Sequence, residues 1–141
     1  YFNVFGPGQD PNSDYAAVIP LFITAVHDGR PPTINGDGGI TRDFTYFDNV
    51  VASNLLAAVA PDASGQTMNI ACGDRTSLLD LLDAIGTAAG RTVEPVFGPA
   101  RVGDIKHSLA DVSLARALIR YDVEVPFDEG IERTVDWYRA R

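Results

Sequence analysis

Two arginines are the residues of this chain whose type and position could bind an anionic ligand. Arg42 follows a glycine-rich turn at the start of a predicted strand, and Arg101 lies in the loop PARVGD. Because the guanidinium fork matches phosphate oxygens bidentately, the two side chains could clamp a diphosphate. In the structural alternative, Arg42 pairs with Asp43 or Asp37, and Arg101 pairs with Asp104. Spacing along the sequence leaves both interpretations open.

Asn3 is a further polar residue in an unusual place, because it interrupts the apolar opening segment YFNVF. A buried side-chain amide needs hydrogen-bond partners. We therefore expect Asn3 to face a ligand or a turn.

The residue patterns of dehydrogenase catalysis do not occur in this sequence. Lys106 is the only lysine, and Val102 stands four positions before it, so there is no Tyr-x-x-x-Lys pair. Gly6-x-Gly8 is followed by Pro11 where a dinucleotide-binding fingerprint requires its third glycine. We predict no catalytic residue in this chain and no activity of the chain on its own.

The composition excludes several kinds of partner. The 141 residues include 11 basic and 19 acidic side chains, a net charge of −8 that disfavours nucleic-acid binding. No apolar run approaches the ~20 residues of a membrane span. One cysteine and two histidines give no metal-binding cluster. We expect a cytoplasmic protein with no metal, no membrane contact and no nucleic acid.

Strands and helices alternate along the sequence, which predicts an α/β fold. The predicted strands cover residues 1–4, 33–35, 41–47, 66–71 and 92–97. The predicted helices lie at residues 15–28, 49–60, 75–90, 111–118 and 127–139, with Asp48 as the cap of the second. The third helix has the clearest pattern: Ser77 and Asp80 form a capping box, Gly90 ends it, and its apolar stripe is Leu78, Leu81, Leu82, Ile85 and Ala89.

Several segments, in their sequence and in their order along the chain, resemble the C-terminal part of members of the extended short-chain dehydrogenase/reductase family. Within it the sequence is most similar to NAD-dependent UDP-hexose 4-epimerases, especially those of the UDP-N-acetylglucosamine type. The segments that carry the resemblance are YFNVFGPGQDPNSDYAAVIP, INGDGGITRDFTYFDNVVASNLLAA, MNIACGDRTSLLDLLDAIG, RVGDIKHSLADVSLARALI and FDEGIERTVDWYR. It covers essentially the whole chain but only about the last two-fifths of a family member.

The resemblance implies that NAD is bound mainly by a missing N-terminal Rossmann domain. Tyr1 would border the nicotinamide, and the Val4 backbone would contact the cofactor there. The whole chain, residues 1–141, would be the nucleotide-sugar-binding region. Residues 1–14 would belong to the sheet and cleft of the missing domain, so that the strand at residues 1–4 lacks its partner in this chain.

The resemblance also implies a UDP-sugar site. Asn3 would contact the sugar or its diphosphate, and the helix start at Ala17 and Val18 would present backbone to the nucleotide. Thr33 and Asn35 would touch the uracil, although the family commonly has an aromatic residue at the position of Thr33.

Three charged residues complete the implied site. Arg42 and Arg101 match the two arginines that grip the diphosphate, and Asp104 matches the acid that accepts from the ribose hydroxyls.

The function that the resemblance implies for the whole enzyme is C4 inversion of a UDP-sugar through a 4-keto intermediate, by a homodimer. Two alternatives stay open. One is a nucleotide-sugar dehydratase or uronate decarboxylase of the same family, and the other is a binding module without catalysis.

Overall fold

The computed structural model describes residues 1–12 and 17–141. In these residues the helices are α1 Val18–His27, α2 Phe47–Val59, α3 Leu78–Ala89, α4 Ser113–Ile119 and α5 Phe127–Arg139. The strands are β1 Val4–Phe5, β2 Thr33–Asn35, β3 Thr41–Arg42, β4 Thr45–Tyr46, β5 Thr76–Ser77 and β6 Val96–Gly98. The predicted start of the first helix at Tyr15 lies outside the described residues.

The short strands form three separate pairs. β1 and β4 are parallel, with Val4 opposite Thr45. β2 and β6 are also parallel, with Thr33 opposite Val96, whereas β3 and β5 are antiparallel. The alternation of helix and strand agrees with the predicted α/β class.

The main hydrophobic core lies where α1, α3 and α5 meet the β1–β4 pair. Phe5 packs its ring against those of Phe44, Tyr46 and Phe127, with centroids 5.6–6.4 Å apart. The predicted stripe of α3 is confirmed, because Leu81, Leu82 and Ile85 are buried and Leu78 and Ala89 pack against the same cluster.

The predicted ends of α3 are also confirmed. The Ser77 hydroxyl accepts from the Asp80 N–H at 3.1 Å, and the Asp80 carboxylate accepts from the Ser77 N–H at 3.2 Å. Gly90 ends the helix in the left-handed conformation, with φ of 64°. The last helix has the predicted bounds, Phe127–Arg139.

A close approach in α5 fixes this helix against the β1–β4 pair. A Cβ at Gly130 would lie 2.9 Å from side-chain atoms of both Phe5 and Tyr46. Only a residue without a side chain allows this contact without displacing its neighbours.

The predicted single strand at 41–47 is wrong. It is two strands, β3 and β4, that pair with different partners, and Asp43 and Phe44 separate them. The interruption coincides with the buried carboxylate of Asp43, which accepts hydrogen bonds from distant backbone N–H groups. The predicted cap is wrong as well: Tyr46 is the N-cap of α2, and Asp48 lies in its first turn.

Residues 66–71 do not form the predicted strand. The Ile70 carbonyl accepts one hydrogen bond from the Phe2 N–H at 3.1 Å, but no ladder follows. Without a continuous neighbouring strand, this segment has no regular secondary structure, and it buries Ile70 in a second small core with Ala115, Ile119 and Tyr121. The predicted strand at 92–97 is reduced to β6, which begins at Val96.

The expectation that the strand at residues 1–4 has no partner in this chain is wrong for Val4. Val4 pairs with Thr45 of β4, and the pairing continues at Phe5, which is 2% exposed. Whether residues 1–14 also belong to the sheet of another domain stays a prediction.

Candidate functional site

A cavity of about 490 Å³ collects most of the residues that the sequence singled out. It lies between the start of α1, β2 and the loop that follows β6. The predicted site residues that line it are Asn3, Val4, Ala17, Val18, Thr33, Asn35, Arg42, Arg101 and Asp104. They come from segments up to about 100 positions apart in the sequence, so only the fold brings them together.

Tyr1 does not line this cavity. Its side chain is 66% exposed, and its hydroxyl donates to Asn54 Oδ1 at 2.8 Å, on α2. Of the two predicted cofactor contacts, the cavity therefore holds only Val4. Since the sequence also lacks the dinucleotide fingerprint, these residues do not fit a complete NAD site; they could supply only an edge of one.

Arg42 is directed by backbone carbonyls rather than by a carboxylate. Its Nη1 donates to the Ile105 carbonyl at 2.7 Å and to the Thr41 carbonyl at 2.9 Å. The ion pairs found among the described residues do not include Arg42 with Asp37 or Asp43. The structure therefore does not show the ion pair that was the structural alternative for Arg42. The remaining N–H donors of its guanidinium group are available at the cavity.

Arg101 and Asp104 lie at the two ends of one exposed turn. The Asp104 N–H donates to the Arg101 carbonyl at 3.4 Å, and Gly103 between them has φ of 88°. In the part of the chain that the structure describes, no ion pair joins their side chains. Both groups line the cavity, so a cation and an acceptor face it from one short loop.

Asn3 lines the cavity and bonds to the backbone between β3 and β4. Its backbone is in the left-handed region, with φ of 34°, which asparagine tolerates better than most residues. Its side-chain amide donates to the Asp43 carbonyl at 2.9 Å. The side chain is exposed rather than buried, so part of its hydrogen-bonding capacity is open to a ligand.

The start of α1 opens on the cavity without a side-chain cap. Ala17 is the N-cap residue and cannot accept a hydrogen bond through its side chain. The amides of a helix's first turn and the helix dipole favour an anion near this end. The residues at this end, Ala17 and Val18, both line the cavity.

The wall formed by β2 is held by its pairing with β6. Asn35 is opposite Gly98, and the Gly36 N–H donates to the Gly98 carbonyl at 2.9 Å. Thr33 is exposed and Ile34 between them is buried, so Thr33 and Asn35 share the face that points away from the core. Arg101 follows only three residues after the end of β6, which links this wall to the loop.

Sequence analysis missed several residues that line the cavity. The apolar ones include Leu21, Ile40 and Leu78 and the pair Pro31–Pro32. Helical spacing placed Leu78 in the apolar stripe of the third helix, and nothing in that pattern distinguishes a side chain that also faces a cavity. The other residues carried no chemical signal in the sequence.

A third guanidinium at the cavity was also missed. Arg30 lines it, with Nη2 2.7 Å from Asp28 Oδ2 in an exposed ion pair. The only signal was its place directly after Gly29, which ends the turn that follows α1.

A larger cavity of about 920 Å³ lies between α3 and the segment that leads into α5. It holds none of the predicted site residues. Acidic side chains dominate its rim: Asp74, Asp80, Asp83, Asp122, Asp128 and Glu132. This cavity does not suit an anionic ligand.

The described residues contain neither a membrane-spanning helix nor a metal-binding cluster. None of their helices combines the length and the apolar character needed to span a membrane. They contain no group of three or more histidine, cysteine, aspartate or glutamate side chains placed to hold a metal ion.

The structure is an α/β protein with a candidate ligand site, a cavity built from loops, strand ends and the start of α1. Comparison with protein families identifies it more closely, because residues 1–71 match the NAD dependent epimerase/dehydratase family. The chain belongs to this family, as its sequence motifs predicted.

Relatives of known name cover nearly the whole chain. It is 39% identical over 139 residues to the UDP-glucose 4-epimerase of Mycolicibacterium smegmatis. Two solved structures are similar over 99% of the chain: the UDP-N-acetylglucosamine 4-epimerase of Methanobrevibacter ruminantium in complex with UDP-N-acetylmuramic acid (40% identity, TM-score 0.91), and the UDP-glucose 4-epimerase of Thermotoga maritima with UDP-glucose (35% identity, TM-score 0.92). The chain spans about 44% of the length of each of these proteins.

Proposed function

We propose that this chain is the nucleotide-sugar-binding part of an NAD-dependent UDP-sugar 4-epimerase. The observation that carries the proposal is the convergence of Arg42 and Arg101, from separate segments, on one cavity. Two guanidinium groups that are not paired with carboxylates in the described residues suit the two phosphates of a nucleoside diphosphate.

The other residues of the cavity would contact the rest of the ligand. Asp104 would accept from ribose hydroxyls, and Thr33 with Asn35 would contact the uracil from the β2 wall. Asn3 would contact the sugar or its diphosphate. The start of α1 at Ala17 and Val18 would add favourable electrostatics for the anion.

The complete enzyme would invert C4 of the sugar through a 4-keto intermediate, for which NAD supplies the hydride acceptor when bound. This chain's residues would hold the diphosphate in place while the sugar turns, which is a contribution to positioning. With no acid–base pair and no dinucleotide fingerprint in its sequence, the chain on its own should not epimerise a UDP-sugar. A dehydratase or a uronate decarboxylase would use the same binding step.

An exposed apolar stripe on α2 supports a partner domain. Phe47, Val51, Leu55 and Val59 follow one another at intervals of four residues, and each is exposed. We propose that the Rossmann domain of the whole enzyme, which would carry most of the NAD site and which Tyr1 and Val4 would border, covers this stripe. A cytoplasmic homodimer is the proposed state of the whole enzyme.

Calorimetric titration with UDP tests the proposed site. The chain should bind UDP, and Arg42→Ala and Arg101→Ala should each weaken binding by about 10- to 150-fold, because a hydrogen bond to a charged group contributes ~1.5–3 kcal/mol. Arg133→Ala is the matched control, since Arg133 is an exposed arginine that pairs with Asp48 and Glu129 outside this cavity.

Uridine provides the matched control ligand. It lacks the diphosphate, so its weaker binding should be insensitive to both arginine substitutions. UDP affinities unchanged in Arg42→Ala and Arg101→Ala would contradict the proposal.

A further inference from the structure

We propose that Asp43 is a positioning residue, whose buried carboxylate holds the segment that carries Arg101 in register with Arg42. The inference rests on the proposed function, in which these two arginines bind one diphosphate. Asp43 is not itself at the cavity, so it would act through the two arginines.

The Asp43 carboxylate joins parts of the chain that are far apart in sequence. Its side chain is fully buried. Oδ1 accepts from the Cys72 N–H at 3.0 Å, and Oδ2 accepts from the N–H groups of Gly73 at 3.0 Å and Ala110 at 3.2 Å. Because no described cation pairs with it, these amides are what stabilise the carboxylate.

The segment before Ala110 is aligned with β3 by further hydrogen bonds. The Thr41 N–H donates to the Lys106 carbonyl at 2.9 Å, and the Ser108 N–H donates to the Thr41 carbonyl at 3.1 Å. Arg42 Nη1 donates to the Ile105 carbonyl at 2.7 Å. Arg42 is therefore hydrogen bonded directly to the segment that follows Arg101.

The turn at Cys72 and Gly73 completes the anchor. Two successive N–H groups point at one carboxylate, an arrangement that suits an anion. Gly73 has φ of 75°, which favours glycine, and the chain then continues to β5, the partner of β3. The carboxylate and the β3–β5 pairing thus hold residues 72–77 against residues 41–43. The carboxylate also holds Ala110, next to the bonds from Thr41 and Arg42 to residues 105–108.

Replacing the carboxylate by an amide of the same shape would break this arrangement selectively. Asp43→Asn keeps the volume but substitutes an NH₂ group for one acceptor oxygen, so that a donor would face the N–H groups now bound there. At least one buried N–H would lose its partner, and the segment that leads back to Arg101 would lose its fixed position.

Amide hydrogen exchange and UDP titration of the same variants test the inference. In Asp43→Asn, exchange should become faster at Cys72, Gly73 and Ala110 and in residues 105–108. UDP affinity should fall by about tenfold in the parent background, but by less than about twofold when Arg101→Ala is already present. An effect of Asp43→Asn on UDP binding that does not act through Arg101 would instead lower the affinity equally in both backgrounds.

Asn49→Asp is the matched control. Asn49 is also a fully buried side chain that makes three hydrogen bonds, but it lies outside the cavity. The control should destabilise the chain while leaving exchange at 105–108 and UDP affinity unchanged.

The two measurements separate the inference from the function on which it rests. Failure of the parent to bind UDP would count against the proposed function, and the exchange data would then decide the inference alone. Unchanged exchange at 105–108 in Asp43→Asn would overturn it, as would equal losses of affinity in both backgrounds.

Native-state exchange of the parent decides the question if Asp43→Asn does not fold. The amides of Cys72, Gly73, Ser108 and Ala110 should then share one opening free energy as denaturant is varied. Unrelated opening free energies for the four amides would overturn the inference.

Discussion

The side-chain amide of Asn49, in α2, is hydrogen bonded to the backbone of Val125 in both directions. Asn49 Oδ1 accepts from the Val125 N–H at 2.9 Å, and Asn49 Nδ2 donates to the Val125 carbonyl at 2.8 Å. The same oxygen accepts from the Glu124 N–H at 3.0 Å. The segment before α5 is thus attached to α2 by a fully buried side chain, much as a strand would attach it.

Asn49→Ala should lower the free energy of unfolding by about 2–4 kcal/mol. The substitution leaves two N–H groups and one carbonyl without their partner, and an unsatisfied buried polar group costs ~1–3 kcal/mol before any relaxation. Urea denaturation followed by circular dichroism measures the change. Asn54→Ala is the control, because this exposed asparagine of the same helix bonds to Val50 at the surface and should change stability by less than ~0.5 kcal/mol. Equal effects at the two positions would contradict the assignment of the buried amide.

Gly130→Ala should destabilise the chain although alanine is the better helix former. Alanine gains up to ~1 kcal/mol over glycine in a helix interior. Here the added methyl group would stand 2.9 Å from atoms of Phe5 and Tyr46, and overpacking of this kind costs ~1–3 kcal/mol. The net result should be a lower midpoint in urea, with Glu132→Ala on the exposed face of α5 as the control. A midpoint above that of the parent would show that α5 has room to move away.

Cys72 should react slowly with iodoacetamide in the folded chain. Burial raises the pKa of its thiol from 9.0 to about 11, with the nearby carboxylates of Asp43 and Asp74 acting in the same direction. At pH 8 the reactive thiolate would be about 100-fold less populated than for an ordinary thiol, so alkylation should be at least about 100-fold slower than in urea. Cys72→Ser gives the background rate.

The same shift has a defined effect on stability. Because the folded pKa is raised, the contribution of the protonated thiol is fully present below pH 9 and is lost as the pH rises through about 11. The unfolding free energy of the parent should therefore fall relative to that of Cys72→Ser as the pH rises from 9.0 to about 11. In the alkylation measurement, similar rates of reaction with iodoacetamide for the folded and unfolded chains at pH 8 would contradict the burial of this thiol.

Local patterns predicted those elements whose stability is itself local. The capping box of Ser77 and Asp80 and the apolar spacing of Leu81 and Ile85 lie within one helix, so the sequence contains all the information needed for α3. The bounds of α5 follow in the same way. The interruption at Asp43 could not be predicted, since the groups that bond its carboxylate are about 30 and 67 positions away.

The candidate site was predictable only in part for the same reason. Residue chemistry identified Arg42 and Arg101 but could not choose between a ligand and a neighbouring carboxylate. Resemblance to a family favoured the ligand and indicated Thr33, Asn35 and Asp104 as well. It did not foresee Arg30 at the cavity. The contact of Tyr1 with a cofactor stays a prediction, and in this structure the tyrosine hydroxyl donates to Asn54 Oδ1. The bond from Arg42 to the Ile105 carbonyl depends on tertiary structure and has no signature in the sequence.

The apolar stripe of α2 and the acidity of the chain have opposite effects on its behaviour at high concentration. An exposed apolar helix face favours association with the same face of a second molecule. On α2 this face carries Phe47, Val51, Leu55 and Val59. At neutral pH the charge of −8 on every molecule keeps copies apart by mutual repulsion. That repulsion vanishes near the isoelectric point of about 4.5, where it no longer opposes hydrophobic association of the exposed stripes. The overall charge thus controls the colloidal stability of the isolated chain. Acidification or high salt should cause aggregation, measured as an increase in turbidity.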